Sequence, residues 1–347
     1  MKPFLAGSNI ESLTRWCQER KLPKFRSKQI ANWLYEQVEA DPDAMLNLPQ
    51  NMRTLLKEDF HAPGTQISET VSSGDGVEKL LLTLHDGECI EMVVIPAEER
   101  LTFCLSTQVG CPVGCYFCAS GKNGLTRNLS CGEIIEEFML GTKRAGFPDN
   151  LVFMGIGEGM LNVEQLFPAL EILTSPDGFG MSPRRITVST SGYVPGMLKF
   201  AELKKEYNLA VSLHAVSDDI RARLIPARVR FSIAEILKAA DLCRDANNRQ
   251  YTLEYTMISG INDDLASARK LAQIAIDHHA KINLIPYNAT DGDFRRPERT
   301  VIENFENEIK NAGARVTRRV ERGGKKSAAC GQLRISRMKK SQHGDDL

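Results

Sequence analysis

Three cysteines with short, fixed spacing are the residues of this chain best suited to chemistry. Cys111, Cys115 and Cys118 fall within eight positions of the glycine-flanked segment STQVGCPVGCYFCASG. Structural zinc normally takes four protein ligands that close a tetrahedron. Iron–sulfur clusters are held by cysteine thiolates, and a cluster with only three of them keeps one iron open to a small molecule. The spacing therefore favours an iron–sulfur cluster over its alternative, a zinc site that a distant cysteine completes.

The overall charge of the chain is balanced, but its distribution is not. The 347 residues include 44 basic and 44 acidic side chains, so the net charge argues neither for nor against a nucleic-acid partner. Ten basic residues and one acidic residue, however, lie between Ala314 and Lys340. Such a stretch is by default a solvated tail, and it also suits a surface that binds phosphates.

The sequence contains no apolar stretch of membrane-spanning length, and its N-terminus lacks the apolar core of a signal peptide. We therefore expect a cytoplasmic protein with no membrane partner. Thiols stay reduced in the cytoplasm, so the nine cysteines should be metal ligands, catalytic groups or buried apolar residues.

Short apolar strands alternate with longer helices from residue 101 onward, which predicts an α/β fold with a parallel sheet. The predicted strands are residues 101–106, 151–154, 186–190, 208–213, 251–257, 281–285 and 314–320. Two helices between them begin with a capping signature, Ser130 with Glu133 and Ser232 with Glu235. If this sheet forms a barrel or an open barrel, the active site is expected at the carboxyl ends of the strands.

The first 60 residues form a predicted helical accessory domain. Ile30, Trp33, Leu34 and Val38 fall on one face of a helix. No residue there stands out for chemistry.

Residues 61–100 are predicted to be a β-hairpin extension. Two strand-forming runs flank Asp86 and Gly87 in the segment VEKLLLTLHDGECIEMVVIP. The barrel core is then assigned to residues 101–320 and the basic tail to residues 321–347.

The cysteine motif, with Phe117 directly before its last cysteine, resembles the signature of radical S-adenosylmethionine enzymes. Nearly the whole chain resembles the dual-specificity adenine methyltransferases that modify carbon 2 of an adenine in 23S ribosomal RNA and in some transfer RNAs. A close relative of that family methylates carbon 8 instead. The shared stretches, in the family's order, are FRSKQIANWLY, CIEMVVIP, CLSTQVGCPVGCYFCASG, LTRNL, MGIGEG, VSTSGYVP, LAVSLHA, LEYTMISGIND, INLIPYN and AACGQL.

This resemblance implies a fold, two cofactors and two partners. The fold is a partial (β/α)6 TIM-like barrel. One 4Fe-4S cluster binds to Cys111, Cys115 and Cys118, and its open iron chelates S-adenosylmethionine. The partners are RNA (23S rRNA, tRNA or both) and a reducing electron donor such as flavodoxin or ferredoxin. The helical domain of residues 1–60 and the basic tail are then expected to contribute to RNA binding.

The resemblance also implies a methyl-carrying cysteine, Cys330. One S-adenosylmethionine methylates its thiol, and a radical from a second one removes a hydrogen from that methyl group. The methylene radical adds to the adenine ring and leaves a thioether between RNA and protein. Cys104 then helps to remove the ring proton and forms a disulfide with Cys330, which releases the product. Glu91 corresponds to the family's proton acceptor.

The cofactor-binding residues are also carried over from the family. Each has an ordinary structural alternative, since short Gly-x-Gly segments are often plain turns and a histidine after a strand is often a satisfied core residue. The residues are Gly157, Glu158, Ser189, Ser212, Leu213, His214 and Asn288.

The chain departs from the family pattern at four places. Gly159 replaces a proline, Ser217 and Arg228 replace asparagines, and GGKKS replaces an acidic stretch before AACGQL. These changes leave open a methyltransferase that acts on carbon 8 or on another RNA. A non-catalytic RNA-binding protein whose cysteines hold zinc is the alternative from a different class.

Overall fold

One ten-stranded sheet organises the chain, which we describe from a computed structural model covering residues 2–226, 231–288 and 293–319. Two further strands, β5 and β6, pair separately. In chain order the strands are β1 (Gln66–Ser72), β2 (Glu78–Thr83), β3 (Cys89–Ala97), β4 (Arg100–Cys104), β5 (Gln108–Gly110), β6 (Leu125–Asn128), β7 (Asn150–Phe153), β8 (Ile186–Thr190), β9 (Asn208–Ser212), β10 (Thr252–Met257), β11 (Lys281–Pro286) and β12 (Val316–Arg318).

The large sheet runs in the order β1-β2-β3-β4-β7-β8-β9-β10-β11-β12. Pairing is antiparallel from β1 to β4 and parallel from β4 to β12. Within the described ranges β1 and β12 are the two ends of this order, so the barrel is open. The predicted partial barrel is confirmed, and the predicted strands match the observed ones to within two residues.

Helices connect the parallel strands, and the N-terminal region is helical as predicted. A single π-helical turn, Asn32–Glu36, follows α2. The α-helices are α1 (Ile10–Glu19), α2 (Phe25–Ala31), α3 (Gln50–Asp59), α4 (Cys131–Ala145), α5 (Val163–Thr174), α6 (Val194–Glu202), α7 (Asp218–Ala222), α8 (Ile233–Asn247), α9 (Leu265–Asp277) and α10 (Arg299–Asn311). None of the helices in the described ranges has the length and apolar character needed to cross a membrane.

Two of the crossover helices begin with the predicted capping boxes. At the start of α4 the Ser130 side chain accepts a hydrogen bond from Glu133 N, and the Glu133 carboxylate accepts one from Ser130 N. Ser232 and Glu235 repeat the arrangement at the start of α8. These bonds satisfy backbone groups that a helix start leaves without partners. The two serine–glutamate pairs therefore determine where α4 and α8 begin.

The hairpin β2–β3 does not stand apart from the barrel but extends its sheet through β4. Alternate residues of these strands therefore face either the helices or the barrel interior. Met92 and Phe103 face the helices and contact α4 closely, because a methyl group added at Gly141 would overlap both side chains. Glu91 and Cys104, one residue away along the two strands, face the interior.

The N-terminal helices pack onto the outside of the barrel within the same apolar core. Phe4 lies against Gly132 at the start of α4, where a methyl group on the glycine would overlap the phenylalanine ring. Tyr35, near the end of the π-helical turn, contacts Phe179 with ring centroids 5.2 Å apart. This packing holds the accessory region against the barrel.

Glu137 on α4 is fully buried and makes the pH dependence of folding testable. Both carboxyl oxygens accept a hydrogen bond from Ser106 N at 3.1 Å, and burial raises the pKa of Glu137 well above its usual range. The folded state therefore holds the carboxyl proton of Glu137 more tightly than the unfolded state does. The contribution of protonated Glu137 to folding stability is lost as the pH rises above the pKa that Glu137 has in the unfolded chain. We expect Glu137→Gln, which stays neutral, to gain stability relative to wild type as pH rises from 5 to 8 in urea unfolding.

Candidate functional site

The three motif cysteines lie together on a loop between β5 and β6. Cys111 N donates to Gly124 O at 2.9 Å, and Cys118 N donates to Cys115 O at 3.0 Å, so the backbone turns back on itself. The cysteines are half-buried against a small apolar cluster. Its buried members are Val113, Leu224, Ile225, Ile258 and Tyr287.

These thiols interact with one another and with a nearby carboxylate. Burial, and to a lesser extent the Glu158 charge, raises the pKa of Cys111 to about 12. Burial raises the pKa of Cys115 well above its usual range, with further contributions from Cys118 and Cys111. Bound iron would offset this, since a metal favours the thiolate form of its ligands.

The donor set therefore fits an iron–sulfur cluster. Among the described residues, no three histidine, cysteine or acidic side chains are placed to hold one metal ion together. Thiolates that each bind a different iron of a cluster need not converge on a single point. Gly121 packs closely on the Gly114 backbone, so the turn after Cys118 lies against the chain next to Cys115.

His214 lies beside the cysteine loop and is neutral. Its ring centroid is 5.0 Å from that of Phe117, in an edge-on arrangement. Burial, helped by the Arg221 guanidinium, lowers the pKa of His214 to about 3. Its Nδ1 accepts a hydrogen bond from Thr256 N at 3.0 Å, which assigns the ring proton to Nε2. His214 thus combines a structural bond with a neutral N–H donor.

Gly157 and Glu158 form a tight turn after β7. Gly157 has a φ of +117°, and a Cβ there would lie 2.6 Å from Thr107 Oγ1, so only glycine fits. Glu158 is buried, and its carboxylate accepts hydrogen bonds from Met160 N at 3.1 Å and Ser191 N at 2.6 Å. The departure at Gly159 leaves this turn well formed.

The strand ends of β8 and β9 place the other predicted cofactor residues nearby. Ser189 pairs with Ala210 in the sheet, and Ser212 pairs with Glu254. Leu213 N and His214 N both donate to Glu254 O, at 3.1 and 3.2 Å. The predicted residues from three neighbouring strands therefore meet at one edge of the sheet.

Asn288 lies just beyond β11 at the same edge. The preceding Tyr287 N donates to Met257 O at 3.1 Å, which fixes the chain there. Asn288 Oδ1 accepts a hydrogen bond from Arg296 Nη1 at 3.5 Å. Asn262 adds support, since its amide donates to both His214 O and Thr256 O at 2.8 Å.

Arg221 and Gln108 organise this edge, and sequence reasoning missed both. Arg221 is buried in α7 and donates to Leu213 O and Ser191 O. Gln108 Oε1 accepts a hydrogen bond from Glu158 N at 2.8 Å. Ser217, a departure from the family, caps α7 through Ile220 N, a task that serine performs as well as asparagine.

Glu91 and Cys104 lie on the interior face, at adjacent strands. Cys104 pairs with Val93, and Glu91 is two residues from Val93 on the same face. Both side chains are buried, at 2% and 4% exposure. Ser106 Oγ donates to Glu91 O at 2.7 Å and accepts from Ile156 N at 3.1 Å, which ties the Glu91 strand to the turn that carries Glu158.

Some predicted features fall outside the described residues. These are Cys330, Arg228 and the GGKKS segment. No disulfide joins two of the eight described cysteines, and the pairing of Cys104 with Cys330 stays a prediction.

Comparison with known proteins agrees with this geometry. Residues 105–272 match the radical SAM superfamily, and residues 5–61 match the ribosomal RNA large subunit methyltransferase N-terminal domain. A probable dual-specificity RNA methyltransferase RlmN 3 from Opitutus terrae is 41% identical, covering 98% of this chain and 96% of the relative. A dual-specificity RNA methyltransferase RlmN from Geotalea uraniireducens is also 41% identical, covering 96% and 97%.

A solved structure extends the match to three dimensions. The crystal structure of a radical SAM methyltransferase from Sphaerobacter thermophilus superposes with a TM-score of 0.90 at 38% identity, covering 95% of this chain and 98% of that one. The family resemblance inferred from the motifs is confirmed. The chain belongs to the RlmN family of radical SAM dual-specificity RNA methyltransferases.

Proposed function

We propose that this radical SAM RNA methyltransferase methylates carbon 2 of an adenine in 23S rRNA and in tRNA. The observation that carries the proposal is the meeting of three thiols, the buried Glu158 and neutral His214 at one end of an open parallel barrel. That end, at the carboxyl termini of the strands, is where barrel enzymes place their reacting groups. The names of the relatives support the RNA substrates.

Cys111, Cys115 and Cys118 would hold a 4Fe-4S cluster. When bound, the cluster supplies one electron for reductive cleavage of S-adenosylmethionine. The half-buried loop limits water around the thiols, and its low polarity is one of the factors that set the potential of such a centre. An external donor such as flavodoxin or ferredoxin would provide the electron.

The residues around Glu158 would hold S-adenosylmethionine. Glu158 offers a buried carboxylate that can accept from an ammonium group, and Gly157 lets the backbone approach closely. Ser189, Ser212, His214 and Asn288 provide hydrogen-bonding groups along the same edge, and the Leu213 backbone lies between them. Arg221 and Gln108 would fix the positions of these groups through their hydrogen bonds to the backbone.

Glu91 and Cys104 would act on the adenine ring after the carbon–carbon bond has formed. Their burial on the interior face keeps water away from a proton acceptor and a thiol that must react in order. Cys330 would carry the methyl group, as the family resemblance implies. The basic residues between Ala314 and Lys340, with the N-terminal helices, would bind RNA phosphates, and the cytoplasmic location stays a prediction.

Nucleoside analysis tests this function directly. The anaerobically reconstituted protein is incubated with S-adenosylmethionine, a reductant and 23S rRNA or tRNA, and the RNA is digested for mass spectrometry. We expect 2-methyladenosine. Formation of 8-methyladenosine would instead favour the carbon-8 alternative, to which the departures at Gly159 and Arg228 are relevant. A protein that binds only zinc, shows no visible cluster absorption and methylates nothing would refute the enzymatic proposal.

A further inference from the structure

A lysine is buried on the same sheet face as Glu91 and Cys104. Lys79, in β2, is only 5% exposed. Lysine is almost never buried to this extent without a charged or polar partner. The sequence gives no hint of this burial, because Lys79 stands between an exposed turn and a run of leucines that would suit an ordinary edge strand.

The strand register places Lys79 next to the proposed proton acceptor. Lys79 and Cys104 both pair with Val93, from opposite sides, and Glu91 lies two residues from Val93 on the same face. Glu91 is thus the diagonal neighbour of both. Diagonal pairs of this kind have Cα atoms about 7–8 Å apart, a distance that a long side chain spans.

The surroundings of these groups are largely apolar. Val77, Val93 and Cys104 form one buried cluster, which Ile95, Val152 and Met154 extend across β3 and β7. Leu81, which pairs with Glu91, is also fully buried. Along β1 to β4, the other titratable groups that the register places on this face are Cys89 on β3, the exposed Glu69 on β1 and the exposed Arg100 on β4. Lys79 is therefore the buried basic group on this face of the four strands.

An apolar setting makes the charge on Lys79 consequential. A carboxylate that loses water favours its neutral form, and a nearby positive charge reverses that preference. A proton acceptor must be ionised before it can act, so a cation beside a buried carboxylate favours the reactive form.

We propose that Lys79 is a positioning residue that keeps Glu91 ionised and ready to accept the ring proton. This inference rests on the proposed function. In the step concerned the ring C–H bond of the adduct breaks, its electron pair restores the aromatic ring, and the proton bonds to a carboxylate oxygen of Glu91. The unpaired electron left by radical addition passes to a one-electron acceptor of the iron–sulfur class. Lys79 exchanges no electron with the adenine ring or with Glu91, and it keeps its proton throughout.

Two substitutions of Lys79 test the charge directly. Lys79→Met keeps length without charge, and Lys79→Arg keeps charge. Because removal of one charge from a buried pair lowers stability, circular dichroism and urea unfolding first establish that Lys79→Met is folded under the assay conditions. We expect Lys79→Met to lower the single-turnover rate of methylation about tenfold at pH 7. The acid limb of its pH–rate profile should lie at higher pH than that of wild type, by about one pH unit, which corresponds to the tenfold loss. Lys79→Arg should retain the wild-type limb.

The covalent intermediate provides a readout beyond activity. On denaturing gels, Lys79→Met should accumulate the protein–RNA adduct at low pH and clear it at high pH, with cluster absorption and S-adenosylmethionine affinity unchanged. Lys199→Met, which removes an exposed lysine paired with Glu164, serves as the matched control and should behave as wild type. In Glu91→Gln the acid limb of the pH–rate profile should be absent. The double variant Glu91→Gln with Lys79→Met should methylate no more slowly than Glu91→Gln alone.

The outcomes separate this inference from the function on which it rests. If wild type forms no methyladenosine, the proposed function fails. If wild type is active and Glu91→Gln is impaired, but Lys79→Met keeps the wild-type pH profile, the role of Lys79 is refuted. Equal losses in Lys79→Met and Lys79→Arg would also overturn it, because the charge would then not be what matters.

Discussion

Replacing Cys104 with alanine is expected to trap a covalent adduct between the protein and its RNA. The proposed mechanism leaves the adenine attached through a thioether to Cys330, and the Cys104 thiol is the group that frees it. Cys104 lies 4% exposed on the interior face, diagonal to Glu91, where water cannot readily take its place. Without the thiol, product release should be undetectable, and most of the active protein should migrate with RNA on a denaturing gel.

Two controls define this experiment. Cys243→Ala removes another buried thiol, one that donates to Met197 O in α6 at 3.1 Å, well away from the interior face, and it should release product normally. Cys104→Ala combined with Cys330→Ala should form no adduct, because the carrier sulfur is then absent. A Cys104→Ala protein that methylates RNA at the wild-type rate would show that Cys104 has no part in release.

Replacing Cys115 with alanine is expected to abolish both the cluster and methylation. Cys115 is one of three ligands, and two thiolates are too few to retain a cluster that has no fourth protein ligand. Iron content and visible absorption after anaerobic reconstitution should fall to background, and methylated nucleosides should be undetectable. Serine at the same position should fail similarly, since its hydroxyl is a far poorer iron ligand than a thiolate.

A cysteine outside the loop provides the comparison. Cys17 is buried in α1, and Cys17→Ala should keep full iron content even if it lowers stability. If Cys115→Ala retained iron and absorption at wild-type levels, the cluster would have to bind elsewhere, and the assignment of the loop would be wrong.

Local patterns predicted much of the barrel. The strands are short apolar runs, and the helices α4 and α8 begin with capping boxes whose partners lie three residues apart, so neighbouring residues alone define them. The cysteine loop is equally local. Glu91 and Cys104 were found through family resemblance, because nothing in the sequence around either one marks it as more than a core or hairpin residue.

What the sequence could not reveal depends on contacts between distant strands. Lys79 reaches the interior only because β2 joins the barrel sheet through β3 and β4, and the hairpin motif predicts no such extension. Arg221 lies on a five-residue helix, yet its guanidinium organises backbone groups eight and thirty positions away. Side chains of this kind take their roles from tertiary register rather than from neighbouring residues.

The fate of the transferred hydrogens tests the central claim most directly. Wild-type protein is given S-adenosylmethionine with a trideuterated methyl group, and both products are analysed by mass spectrometry. If a methyl group on Cys330 loses one hydrogen to a cofactor-derived radical, the new methyl group on adenine keeps two deuterium atoms and the released 5′-deoxyadenosine gains one. A methyl group that arrives with all three deuterium atoms, alongside unlabelled 5′-deoxyadenosine, would contradict the account.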